Sequence, residues 1–187
     1  MAAHEADEDA NTAFDEGRYR EAVEQYLEMA RAGDAAAALR LGWIFHHGLG
    51  IERDDDQAKR WYEESAAAGS VDAKYYLGWF FWERRDFAQA RAWWERAAQD
   101  GHAGALYRLG GLYEFGEGVE RNETRACGYY EQAAARGHLF ARRAVAGKML
   151  RGRYGARRVL VGLWMLVSTA WMAGRERFRE PFSDRLR

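Results

Sequence analysis

The chain has 187 residues, enough for one domain or one array of small repeats with a sizeable core, and its eight Trp, ten Tyr and nine Phe supply large apolar groups for that core. A single proline, Pro181, argues against an all-β fold, and a single cysteine, Cys127, excludes an internal disulfide framework and fits a reducing compartment. The net charge of −1 conceals a gradient: residues 1–33 hold nine acids against three arginines, a net of −6, while residues 138–187 hold twelve Lys and Arg against three acids, a net of +9. The two ends are therefore expected to meet different surroundings.

The opening "MAAHEADEDA" lacks the basic and apolar regions of a secretory signal, which places the chain in the cytoplasm as an expectation. From "QYLEMARAGD" onward the sequence repeats itself through "WYEESAAAGS", "WWERAAQDGH" and "YYEQAAARGH", with glycines Gly33, Gly69, Gly101 and Gly137 at intervals of 36, 32 and 36. Eleven residues before each stands an alanine, Ala22, Ala58, Ala90 or Ala126, and eight before the last three stands an aromatic, Trp61, Trp93 or Tyr129. Nine residues after the first three comes a second glycine in "ALRLGWIF", "KYYLGWFF" and "LYRLGGLY", giving Gly42, Gly78 and Gly110.

Each mark has a mechanical reason. Gly33, Gly69, Gly101 and Gly137 stand where a helix ends and the chain must turn left-handed, a conformation only Gly adopts without penalty. Gly42, Gly78 and Gly110 lie inside a helical pattern, where Gly costs about 1 kcal/mol against Ala, so another helix is expected to approach too closely for a β-carbon, with the matched alanines serving the same contact. Leucines and aromatics such as Leu41, Phe45, Leu77 and Phe81 supply the apolar stripe. The unit is a helical hairpin that must stack on its neighbours to bury a core.

"AAALRLGWIFHHGLGIERDDDQAKRWYEESAAAGS" and "AGALYRLGGLYEFGEGVERNETRACGYYEQAAARGH" resemble the Sel-one-like repeat, a relative of the tetratricopeptide repeat, in their A-x-x-x-LG helix, glycine loop and aromatic, small-residue ending. The resemblance covers three units over 34–137, preceded by a tetratricopeptide-like opening hairpin over 1–33 and followed by a degenerate repeat with an apolar helix and basic tail over 138–187. The middle unit departs from it, since "WERRDFAQA" lacks the glycine loop. The resemblance implies an all-α fold, a right-handed α/α superhelical solenoid whose first helices line a concave face, and a non-catalytic adaptor that binds proteins.

On those first helices Arg40, Trp43 and His47, then Tyr76, Trp79 and Glu83, then Arg108 with Gly111 and Phe115, share one helical stripe and form the candidate partner-binding surface. No catalytic or metal-binding constellation stands out. His46 and His47 are adjacent and so point to different sides, His102 and His138 follow turn glycines where packing is expected, and Asp54, Asp55 and Asp56 suit an acidic helix start. "GLGIERD" and "GEGVERN" lack the lysine of a phosphate loop. No cofactor, small-molecule substrate or nucleic acid is expected; the C-terminal arginines are interrupted by an apolar block, not spread along a polar face.

That block, Val159 to Gly174, is sixteen residues without a charge, where the repeat calls for a polar outer face. It is apolar all round, which fits burial or lipid. At 1.5 Å per residue it reaches about 24 Å, short of the roughly 30 Å of a bilayer core. Arg157, Arg158, Leu160, Trp164, Trp171 and Arg175 are the candidate docking residues, directed to an integral membrane protein or to anionic lipid at the inner face of the membrane. Two other readings stay open. "ERFREPFSDRLR" can fold back over the helix with Phe178, Phe182 and Leu186, and the chain can be a soluble scaffold or inhibitor, including a toxin-neutralising protein, with the helix in its own core.

Overall fold

A computed structural model describes residues 2–150 and 159–176, with side chains over 9–150 and 160–169. Every element among them is a helix: α1 (Ala2–Asp15), α2 (Tyr19–Arg31), α3 (Ala35–His47), α4 (Asp55–Ala67), α5 (Val71–Glu83), α6 (Phe87–Gln99), α7 (Ala103–Phe115), α8 (Glu123–Ala135), α9 (Leu139–Leu150) and α10 (Val159–Glu176). They fall into two compact units, Met1–His102 and Ala103–Arg187. Within each unit every helix packs on the next, the arrangement of an all-α solenoid of hairpins.

Polar side chains start the helices and glycines stop them. Asp34, Asp54, Ser70, Asp86 and Asn122 each accept a bond from a backbone N–H in the first turn of α3, α4, α5, α6 and α8, satisfying donors that have no partner inside the helix. At the other end Gly33, Gly69, Gly101 and Gly137 have φ of 92°, 98°, 92° and 89°. In each case the glycine N–H reaches back to the carbonyl three residues earlier and the following N–H to the carbonyl five earlier, as in Gly69 to Ala66 and Ser70 to Ser65. This is the Schellman closure.

The end of α5 uses the same closure without a glycine. Arg85 N–H bonds to Trp82 O and Asp86 N–H to Phe81 O, with Arg85 at φ 61°. A side chain there costs about 1–2 kcal/mol, against about 0.5–1 kcal/mol of extra unfolded-state freedom for glycine. Arg85→Gly is accordingly expected to raise stability by about 0.5–1 kcal/mol in a urea melt; a loss of stability would show that the Arg85 guanidinium, 5.7 Å from the Phe87 ring, matters more than the strain.

The helix glycines make the close approach expected of them, but to a different group. A β-carbon on Gly42 would lie 2.5 Å from the Tyr62 ring, on Gly78 2.2 Å from the Trp94 ring and on Gly110 2.6 Å from the Tyr130 ring. The glycine makes room for an aromatic ring, one residue after Trp61, Trp93 and Tyr129, and not for a helix backbone. Ala58, Ala90 and Ala126, buried without exposure, line the same interface one turn earlier. Leu41, Leu77, Leu109 and Val145 complete the core from α3, α5, α7 and α9.

The two faces of α10, both apolar in sequence, differ in the structure: one is packed on α9 and the other is exposed. Gly162 lies against α9, where an added β-carbon would meet Met149 Cβ at 3.0 Å and Ala146 O at 3.1 Å. Met165 joins the core around Tyr130, Val145 and Met149, Thr169 is buried, and Ser168 Oγ accepts from Arg142 Nη2 at 2.9 Å. Gly162 and Thr169 stand two turns apart on this face, small enough for the helices to close. Among the described residues no helix is long and apolar enough to cross a membrane.

Candidate functional site

Four aromatic side chains run from the core of the first unit to its surface. Tyr62 of α4 has no exposure, and Tyr76 of α5 stacks on it with centroids 5.8 Å apart and rings 10° from parallel. Trp43 of α3 meets Tyr76 edge-on at 5.4 Å, and His47, one turn along α3, stacks on Trp43 at 3.6 Å. The i, i+4 spacing of Trp43 and His47 produces that last contact. His47 Nδ1 also lies 3.0 Å from Trp43 O, which holds the imidazole in place. Burial pushes the Tyr76 phenol up to about 12 and raises that of Tyr62 as well, so both stay neutral at ordinary pH. The result is a rigid aromatic surface with an exposed histidine at its outer end.

The other residues of the predicted stripe divide. Arg40 places its guanidinium over Phe14 of α1, 5.4 Å from the ring centroid, so it braces the opening hairpin. Trp79 makes edge contacts with Trp82 at 5.1 Å and with buried Trp94 at 6.3 Å, still half-buried beside the ladder's helix. Glu83 turns towards α3, where His46 Nε2 lies 2.8 Å from Glu83 Oε2. Desolvation lowers the His46 pKa against the pull of Glu83, and the ring is packed between Tyr62 and Phe80. Glu83 is therefore a bracing residue of the core edge. Arg108 belongs to the second unit and lies over Tyr107 at 5.7 Å, while Phe115 at the end of α7 is 73% exposed.

On α10, Leu160 and Trp164 are 76% and 66% exposed, in line with Leu163 and Val167. Arg157 and Arg158 lie outside the described residues, as do Phe178, Phe182 and Leu186; Trp171 and Arg175 lie on α10 with side chains outside them.

The turn histidines pack as expected, and one further arrangement was not legible in the sequence. His102 and His138 stack on Tyr75 and Tyr107, at 4.4 and 4.7 Å, so each turn histidine packs on an aromatic of a neighbouring first helix. In the second unit Lys148, only 5% exposed, extends from α9 to Glu114 of α7 at 2.7 Å, with Glu123 of α8 at 3.6 Å. Tyr130 donates its hydroxyl to the other oxygen of Glu114 at 2.6 Å. Burial resists ionisation of Glu114, but bonds from Lys148 and Tyr130 outweigh it and hold the carboxyl below its ordinary value. The cluster joins three helices through paired charges and a shared hydrogen bond. Asp54 caps α4, and Asp55 pairs with Arg53 and Arg84. Among the described residues no group of three His, Cys, Asp or Glu is placed to hold a metal ion.

The Sel1 repeat pattern matches residues 35–70, 71–102 and 103–138. No curated protein matches the chain. Among solved structures, a protective antigen of uropathogenic Escherichia coli displaying an SLR fold is 26% identical with a TM-score of 0.74, covering 82% of this chain and 34% of its own. The chain thus spans about a third of that antigen's length. A Sel1 repeat protein from Oxalobacter formigenes is 23% identical with a TM-score of 0.77, covering 88% and 69%, and MamA is 18% identical at 0.61, covering 89% and 96%; these two likenesses concern the fold. Repeats of this kind generally mediate protein–protein interaction, on a scaffold that is typically non-catalytic. With three consecutive repeats across more than half of its residues, the chain belongs to the Sel1 repeat family.

Proposed function

We propose that the chain is a non-catalytic adaptor that holds a protein partner on the aromatic surface of α3 and α5 and docks through α10 at the cytoplasmic side of a membrane. The carrying observation is the ladder from Tyr62 through Tyr76 and Trp43 to His47. Interface anchors are enriched in Trp and Tyr because such side chains bury much surface and lose little rotamer freedom. A side chain already stacked on a buried ring loses less still, so the surface is organised before a partner arrives.

A photo-crosslinker in place of His47 is expected to mark one partner that a probe at exposed Glu64 does not, and Trp43→Ala is expected to weaken that partner's binding at least about tenfold. Equal labelling from both positions, or unchanged binding in a folded Trp43→Ala chain, would sink the assignment of this surface. A soluble scaffold or inhibitor is the second reading, favoured by the tight seat of Gly162 on Met149 and Ala146, which gives α10 a role in its own unit. The exposed face of the same helix supports the docking reading.

A further inference from the structure

The adaptor reading leaves open what the exposed face of α10 touches, and the following inference rests on that reading. Leu160, Leu163, Trp164 and Val167 follow the i, i+3, i+4, i+7 spacing of one helical face and are 76%, 48%, 66% and 70% exposed, with Val161 beside them at 47%. The opposite face is already taken by α9 through Gly162, Met165 and Thr169. The stripe is therefore narrow and belongs to one helix.

Its size and charge select the occupant. A stable protein interface needs roughly 20–30 residues a side, far more than this stripe supplies, so a second copy of the chain is a poor fit. A helix lying in a bilayer interface needs only such a stripe, sunk about 5–10 Å, with cations on its flanks. A crossing is excluded for this helix by its length and hydropathy. Residues 138–187 carry a net +9, with Arg151, Arg153, Arg157 and Arg158 before the charge-free stretch and Arg175, Arg177 and Arg179 after it. Those side chains are long enough to reach headgroups while the apolar face sinks. We infer that this face of α10 seats on an anionic lipid bilayer surface, with Leu160, Leu163, Trp164 and Val167 at the acyl boundary, the positive charge of the flanking sequence favouring anionic headgroups.

The test is co-sedimentation of the full chain with vesicles of phosphatidylcholine, alone or with about one third phosphatidylglycerol. Binding is expected to be at least about tenfold tighter to the mixed vesicles and to fall away at about 0.5 M salt. Trp164→Ser with Val167→Ser is expected to weaken it about tenfold or more without shifting the thermal melt, since both side chains are exposed. Arg157→Gln with Arg158→Gln reads the charge contribution separately and is expected to lose about fivefold per arginine. Equal binding to neutral vesicles, or variants that bind like the parent chain, overturns the inference. So does an absence of vesicle binding while a photo-crosslinker in place of Leu163 marks either a membrane protein or residues 177–187. Capture of a membrane protein would leave the adaptor reading standing, and the probe at His47 tests that reading independently.

Discussion

Trp94→Ala is expected to lower the stability of the first unit by about 3–5 kcal/mol, the range for emptying a large aromatic site in a packed core. The ring is 1% exposed, lies against Gly78 and donates from Nε1 to Tyr75 O at 3.1 Å, so its neighbours have little freedom to collapse into the space. Gly78→Ala alone has two opposed effects. Alanine improves helix propensity by about 1 kcal/mol, but its β-carbon would sit 2.2 Å from a ring that cannot move aside, and overpacking of that kind costs about 1–3 kcal/mol or more. The net is an expected loss of about 1–2 kcal/mol. On the Trp94→Ala background the clash disappears and the same change is expected to be neutral or stabilising. Urea melts of the four chains measure the coupling; additive losses would show that glycine and ring do not form one lock.

Glu114→Gln is expected to cost the second unit about 2–3 kcal/mol at neutral pH, because it leaves the Lys148 ammonium buried with the Glu123 carboxylate, at 3.6 Å, still beside it. Partial exposure of the Glu114 side chain, 27%, keeps the figure below that of a fully buried pair. The pH dependence has a definite sign. The folded state holds Glu114 below its ordinary value of 4.5, so its contribution is complete above that pH and disappears as pH falls through the folded value. The gap between the parent chain and the Gln variant should therefore narrow in acid. Melts at neutral pH and near pH 3 test this, and a gap that stays constant would locate the loss in packing and not in charge.

The turn glycines were legible because a left-handed backbone restricts residue choice at a fixed offset from each helix. The aromatics facing Gly42, Gly78 and Gly110 were not. Each second helix carries two adjacent aromatics, such as Trp93 and Trp94, and periodicity alone does not say which one enters the gap. Trp43, His47 and Tyr76 could be placed on one surface from helical spacing, whereas the turn of Glu83 towards His46 depends on how α3 and α5 meet. Lys148 was hidden for a similar reason, since its partners lie 34 and 25 residues away and a lone lysine in "VAGKML" has no local sign of burial. On α10 both faces are apolar, so hydropathy could not separate them. Gly162, Ser168 and Thr169 were the available signal, small residues gathered on the side that closes on α9.

The hydrogen bond from Trp94 to Tyr75 gives the middle repeat its own spectroscopic reporter. An indole proton enclosed between α5 and α6 exchanges with solvent only when those helices part, so its deuteration rate follows the opening of a single hairpin. In an array held together by contacts between neighbours, hairpins need not open together. Comparing that one resonance with amides of α3 and α7 would reveal whether the array yields as a block or piece by piece.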